Sequence, residues 1–292
     1  MKTTPSAIDV GDSALVFGGT YGNLQATEAI LAYARSHGFG PENTIFTGDL
    51  VAYCGEPQAT VDLVRGFGCH AVMGNCEESL SEDRSDCGCG FDEGTECNLL
   101  SAQWFSFCQR ALDAETKRWM GTLPRSLNVK IGNYNFLCTH GTNEAINQFV
   151  FPSDIASGKY SIPHNQGLDG YIVGHSGIPF VHEQTGMYWI NSGAAGMPAN
   201  DGTARIWFAT LKAKDGFLDV EFIGLGYDLE STSKAMIKAG LENGYHTSLS
   251  SGIWPSHDVL PEPERLQTGI PIEPRKKALK KAPFSSRYRV LI

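Results

Sequence analysis

The chain has 292 residues, 41% of them hydrophobic, so it can bury a sizeable core in one large domain or two small ones. Its formal net charge of −9 argues against a general nucleic-acid binder. MKTTPSAIDVGD lacks the apolar run of a secretory leader, and no window approaches the length of a membrane span, so a cytoplasmic protein without a membrane partner is expected.

In chain order, Ser13 to Phe17 reads as a strand, and Asn23 to His37 as a helix with Ala26, Ala29, Ile30 and Tyr33 on one face. Between them, Gly18 and Gly19 permit a tight turn and close approach of a ligand, and the helix start offers N–H groups to an anion; equally, the glycines only shape the turn. A second unit follows: a strand over Ile45 to Thr47, a loop through Pro57, a helix over Thr60 to Phe67, and a strand over Ala71 to Met73. From Cys76 to Cys97 there are eight acidic residues, one Arg and four of the eight cysteines, which reads as a loop-like insertion over 76–98. Helices are predicted over Leu99 to Leu112 and Asp113 to Gly121, the second capped by Asp113. Strands then dominate: Ser126 to Ile131, Tyr134 to Leu137, Gly170 to Val173, Phe180 to His182, Met187 to Ile190, Ala204 to Leu211 and Phe217 to Ile223. Asp228 to Asn243 reads as a closing helix, which sets a main domain at 1–245. The remaining 246–292 is rich in proline. From Arg275 it carries seven basic residues and no acidic one, and it is expected to pack on the acidic body or on a second subunit through Phe284, Tyr288, Val290, Leu291 and Ile292.

Four stretches share a chemical logic: IFTGDLVAY, AVMGNCEE, FLCTHGT and YIVGHSGIP. Each is a short apolar run followed by a metal-capable side chain beside a glycine, namely Asp49, Asn75, His140 and His175. Ligands in open α/β sheets bind at the carboxyl ends of strands, and this mixture of oxygen and imidazole donors suits zinc, manganese or iron.

The order of these stretches resembles the calcineurin-like metallophosphoesterases, whose pattern is D-x-H, G-D, G-N-H-[DE], H-G, G-H-x-H. The resemblance covers roughly residues 13 to 245. It implies an α/β/β/α sandwich of two stacked mixed sheets with flanking helices, and a pair of metals about 3.5 to 4 Å apart that clamp a phosphate ester for in-line displacement. Here Gly19 stands where the first motif has Asp and Tyr21 where it has His; Gly-Asn-His-Asp has become Gly74-Asn75-Cys76-Glu77; and Gly174-His175-Ser176-Gly177 lacks the last His. By that mapping, the ligands unique to the first metal are missing and Asp49, Asn75, His140 and His175 of the second remain. The resemblance therefore implies one di- or trivalent ion per chain. Tyr21, a poor zinc ligand, reads as packing, as a phenolate ligand of a ferric ion, or as a neutral donor to a phosphate oxygen. Cys76, in the place of the leaving-group His, reads as a soft ligand, a nucleophile, a disulfide partner or a small half-buried residue. Cys54, Cys76 and Cys138 lie on or beside the metal-bearing loops, which favours metal or redox roles over a disulfide framework. Cys87, Cys89 and Cys97 lack the spacing of common zinc modules. The turn Asn191 to Gly196 resembles the family's N-P-G-S-x-G turn and reads as mainly structural.

Three functions follow. The leading one is hydrolysis of a phosphorylated small molecule, a mono- or diester, with Asp49, Asn75, His140, Tyr21 and Cys76 in the site and best retained on good leaving groups such as an activated phenol or pyrophosphate. The others are a binding or regulatory protein that has lost catalysis, and iron-dependent redox chemistry.

Overall fold

The computed structural model describes residues 6–90, 94–160 and 167–281. In chain order its elements are strands β1 (Ser6–Asp9) and β2 (Ser13–Phe17), helix α1 (Leu24–Ser36), β3 (Thr44–Phe46), α2 (Pro57–Phe67), β4 (His70–Ala71), α3 (Asn75–Ser81), α4 (Glu96–Ala111), α5 (Ala114–Met120), β5 (Ser126–Ile131), β6 (Tyr134–Thr139), α6 (Pro152–Ala156), β7 (Gly170–Val173), β8 (Phe180–Gln184), β9 (Met187–Asn191), β10 (Ile206–Lys214), β11 (Phe217–Leu225), α7 (Leu229–Lys238), α8 (Gly244–Ser251), α9 (Glu262–Arg265) and β12 (Arg275–Lys280).

Two six-stranded mixed sheets form, in the orders β12-β11-β10-β2-β3-β4 and β1-β5-β6-β7-β9-β8. Side chains alternate along each strand, so one sequence serves two cores. Ala14 and Val16 of β2 enter the core between the sheets with Phe136, Ile172 and Ile190, while Leu15 and Phe17 pack outward with Ile30, Leu31 and Val61 of the helices. Leu137, Tyr171, Val173 and Trp189 point the other way from the second sheet and pack with Ile155 of α6. Strands buried on both faces read as continuous apolar runs, as in SALVF and YIV. The result is a four-layer α/β/β/α sandwich.

Within the sheets, β2, β3 and β4 are mutually parallel, as are β6, β7 and β9. Parallel neighbours deliver their carboxyl ends to the same edge, and those two bundles of strand ends carry every motif described above.

The structure adds β1, α6 and α9, which the sequence reading did not mark, and differs from the sequence expectations at three further places. The acidic insertion begins as a helix, α3, whose first turn holds Glu77 and Glu78. The closing helix is shorter than expected: the chain leaves α7 after Lys238 through Gly240 at φ +73, and a separate helix, α8, opens in the following segment after Asn243, whose side chain caps it by accepting the Tyr245 N–H. The basic tail adds an edge strand, β12, antiparallel to β11, in which Leu279 is the buried residue; its strand character comes from β11, since RKKALK has no strand periodicity of its own. Phe284, Tyr288, Val290, Leu291 and Ile292 lie outside the described residues. No helix among the described residues is long and apolar enough to cross a membrane.

Removal of residues 275–292 should lower stability by about 2 to 3 kcal/mol, chiefly through Leu279 and the β11 ladder, because burying one leucine contributes about 2 kcal/mol. Lys276–Asp219 at 2.9 Å and Lys281–Asp169 at 3.1 Å are partly exposed pairs and should add a small, salt-sensitive part. Melting curves at low and high salt measure both; a melting temperature unchanged at either salt would contradict this role for β12.

Candidate metal centre

The site is built around a turn that ordinary backbone would not make. After β3 the chain turns through Gly48 at φ +95 and Asp49 at φ +63. A side chain at Gly48 would have its Cβ 2.7 Å from His140 Nδ1 and 2.8 Å from the Gly74 nitrogen, so the ends of β3, β4 and β6 meet there only over glycine. The left-handed Asp49 is held by Glu77, whose carboxylate accepts the N–H groups of Asp49 at 2.8 Å, Leu50 at 2.7 Å and Gly74 at 2.7 Å. Burial, with the neighbouring Asp49 charge, pushes the Glu77 carboxyl up to about 7 against those three donors.

Around this turn, four donor atoms converge. His140 Nε2 lies 3.2 Å from Asp49 Oδ2, 3.1 Å from Asn75 Oδ1 and 3.0 Å from His175 Nδ1. The ligand atoms of Asp49, His140 and His175 all lie within 4.8 Å of one another. The other nitrogen of each ring is already engaged: His140 Nδ1–H donates to the Thr47 carbonyl at 2.7 Å, and His175 Nε2 faces the Cys89 carbonyl at 3.4 Å. Those bonds leave the lone pairs of His140 Nε2 and His175 Nδ1 directed at each other and at two oxygens. Four lone pairs gathered in a buried space need a cation. Their spacing also suits one, since ligands about 2.0 to 2.1 Å from a tetrahedral ion are about 3.3 Å apart. Burial opposes charge on Asp49, yet the charge and hydrogen bond of His140 outweigh it and hold the carboxyl below its ordinary value. Asp49 in turn raises His140 against its burial. Burial and the charge of His140 depress His175 to about 3. The donors therefore fit one small cation, which replaces the proton that His140 would otherwise hold.

The remaining expected site residues fall as follows. Asp49 and Asn75 arrive from the first sheet, His140 and His175 from the second, so convergence depends on the two sheets facing each other and not on neighbouring strand ends in one sheet. Tyr21, at φ +54, is buried, and its ring lies where a side chain at position 19 would stand: a Cβ on Gly19 would be 2.7 Å from Tyr21 Cζ and 2.8 Å from its hydroxyl. A Cβ on Gly177 would be 3.6 Å from the same hydroxyl. Burial, then the Asp49 charge, drives the phenol pKa well above its ordinary value, so it stays a neutral O–H. Cys76 is fully buried; its backbone N–H donates to Asp49 Oδ1 at 3.3 Å, and burial with the Asp49 and Glu77 charges keeps its thiol protonated.

Cys54 and Cys138 are buried in the cores and, among the described residues, belong to no metal-ligand cluster, whereas Cys87 and Cys89 form a disulfide. That bridge lies over Asn75, whose amide Nδ2–H donates to the Cys87 carbonyl at 3.0 Å and thereby turns Oδ1 toward His140. At the start of α1, Asn23 Oδ1 accepts the Ala26 N–H at 3.1 Å and Thr232 donates to it, so this cap is turned inward and not toward an anion. The Asn191–Gly196 turn is structural: Ala195 and Gly196 donate to the carbonyls of Gly18 and Gly19 at 2.8 Å, and a Cβ on Gly196 would collide with the Thr20 carbonyl. His37, His70, His182, His246 and His257 take no part, and His164 lies outside the described residues.

Comparison with known proteins gives the family. Residues 14–216 match the calcineurin-like phosphoesterase superfamily domain, and the chain belongs to that superfamily. It is 23% identical over 235 residues to an uncharacterized protein of Methanocaldococcus jannaschii, covering 75% of this chain and 89% of that one. The crystal structure of a metallophosphoesterase from Sphaerobacter thermophilus matches with a TM-score of 0.61 and 23% identity, over 83% of this chain and all of that one. A hypothetical protein from Pyrococcus horikoshii OT3 matches with a TM-score of 0.67 and 16% identity, over 82% of this chain and 98% of the other. These two likenesses show the fold.

Glu77→Gln should test the turn. An amide keeps one acceptor oxygen but turns an N–H toward backbone donors, so we expect a loss of about 1 to 3 kcal/mol in urea unfolding together with weaker metal binding. Unchanged stability would mean that the three N–H groups do not depend on the carboxylate.

Proposed function

We propose that this chain hydrolyses phosphate esters with a single metal ion held by Asp49, Asn75, His140 and His175. The observation that carries this reading is the Tyr21 side chain. It stands at one of the three positions where the superfamily pattern has ligands unique to the first metal and fills the space between the other two, Gly19 and Gly177, and so leaves room for one ion beside a neutral phenol. When bound, such an ion lowers the pKa of a water and polarises a phosphoryl oxygen.

The chain's own residues divide the rest of the work. Thr47, through the His140 ring, and Cys87, through the Asn75 amide, aim the donors. The Tyr21 O–H lines the pocket beside Asp49, where it can donate to a phosphoryl oxygen and stabilise the charge that develops there. As water oxygen bonds to phosphorus and gives up a proton to solvent, the bond from phosphorus to the ester oxygen breaks and its electron pair leaves with that oxygen. That oxygen leaves without protonation from Cys76, whose thiol is held too basic to act as an acid near neutral pH. Esters of acidic alcohols, aryl esters above all, are therefore the substrates on which turnover is retained.

Protein purified without added metal should hold about one ion per chain by elemental analysis. Asp49→Ala and His140→Ala should each remove it and lower kcat/KM on aryl phosphate esters by about 100-fold or more. Two tightly held ions per chain, or activity that persists in both variants, would overturn the reading in favour of a dinuclear enzyme or chemistry elsewhere. Absence of turnover with every metal would favour a binding protein.

Tyr21→Phe separates donation from packing. The lost hydrogen bond should lower kcat by about 10- to 100-fold, with metal content unchanged. A fall in metal content with kcat preserved would make Tyr21 a packing residue.

A further inference from the structure

Cys87, Gly88 and Cys89 carry none of the superfamily's motif positions, yet they supply the outer hydrogen-bond acceptors for two of the four metal donors. The Asn75 Nδ2–H donates to the Cys87 carbonyl at 3.0 Å, and His175 Nε2 faces the Cys89 carbonyl at 3.4 Å. One acceptor therefore comes from each end of a single disulfide. The same Asn75 amide lies 3.4 Å from Cys89 Sγ and 3.6 Å from Sγ of Cys76, a free thiol. Sulfur chemistry and the metal donors meet on one side chain.

The bridge closes a ring over one residue, Gly88, which lies at φ +63 and whose Cβ, were it present, would stand 2.8 Å from Ser79 Oγ of α3. Only glycine lets the ring rest there. Gly90 and Gly94, which follow, are left-handed as well, and chain of that composition has much conformational freedom to lose. The covalent bond is thus what fixes the two carbonyls relative to each other. Outer partners of this kind orient metal ligands, and their loss typically costs about 10- to 100-fold in metal affinity. Cys89 also lines the cavity of about 60 Å³ that Asp49 and His175 share with Tyr21, Tyr245 and Trp254. A small thiol approaches the bridge from that side.

Resting on the reading that the four donors hold an ion, we propose that Cys87 and Cys89 are a thiol-exchange site that sets how tightly the ion is held. The bridged form holds it and the reduced form releases it. The reductant is a small dithiol. Its first thiolate bonds to Cys89 Sγ, the bond between Cys87 and Cys89 breaks, and the electron pair leaves on Cys87, which takes a proton from solvent. The second thiolate of the reductant then displaces Cys89, which is protonated in the same way. Two electrons pass to the protein, and the dithiol becomes a cyclic disulfide. Oxidised glutathione reverses the exchange, re-forming the bridge as it is reduced to two thiols. In the reduced form the two carbonyls lose their fixed spacing, and Asn75 and His175 lose their common support.

Manganese is the probe for the test, because it prefers oxygen and imidazole to thiolate, so the freed sulfurs do not compete for it. Metal-free protein is treated with oxidised glutathione or with dithiothreitol, cleared of reagent by gel filtration without air, and titrated with manganese by calorimetry. Alkylation of the denatured protein, read by mass, counts thiols: six are expected in the bridged form and all eight cysteines in the reduced form. The manganese Kd should rise at least about 10-fold on reduction and return on reoxidation. A Cys87→Ser, Cys89→Ser double variant should bind as the reduced form does and ignore both reagents, whereas Cys76→Ser should keep the response. Equal affinity at six and eight thiols, or tighter binding at eight, overturns the switch and leaves the metal centre standing. A count that stays at six in folded protein at every dithiothreitol concentration overturns the exchange and makes the bridge structural. Loss of the response in Cys76→Ser overturns the assignment to Cys87 and Cys89. Absence of manganese binding in both states overturns the metal reading together with the switch.

Discussion

Glu77 is the constraint on which the centre depends. Its carboxylate draws three backbone N–H groups from two loops together, which holds Asp49 in a left-handed conformation that a non-glycine residue does not adopt freely. With Asp49 fixed, the Gly48 backbone can lie against the His140 ring, whose Nδ1–H donates to the Thr47 carbonyl, and the His140 carbonyl in turn accepts the His175 N–H at 2.9 Å. The centre is a chain of dependencies running from a buried acid to the four donors. Such an acid in an otherwise apolar interior would be a liability without its three donors, so the turn and the acid stabilise each other.

The same economy explains how a centre can lose half of a two-metal pattern and keep the rest in order. The first-metal positions belong to the loop after β2 and to Gly177, whereas the retained donors sit after β3, β4, β6 and β7. Tyr21 does not simply leave a gap: its ring occupies the space and packs against Tyr53. The Asn191–Gly196 turn clamps the β2 loop from the second sheet. Substitution at the first position is thereby separated mechanically from the Glu77-held turn that supports the second.

Much of this was legible in the sequence because it is written in local terms. Strand runs such as SALVF and YIV, the N-cap residues Asn23, Asp113 and Asp228, and the four glycine-flanked donors each carry their signal within a few residues. What escaped is set by partners distant in sequence. β12 is a strand because β11 lies beside it; the pairing of two sheets, not adjacent strand ends, brings Asp49 to His175; and Trp254 and Tyr245 become a pocket wall only when the C-terminal segment folds back over the loops. Glu77 stood in plain view as the acidic residue of Gly74-Asn75-Cys76-Glu77, but its three backbone partners come from a turn whose geometry no short window reveals. The disulfide between Cys87 and Cys89 escaped for a different reason, since its spacing matched no common module.

The central claim is that one ion, and not two, is held where the four donors meet. Anomalous diffraction from crystals grown with manganese measures this directly. The account predicts a single peak bounded by Asp49, Asn75, His140 and His175, with the Tyr21 ring still lying between Gly19 and Gly177. A second peak about 3.5 to 4 Å away on the Tyr21 side, with that ring displaced, would contradict it.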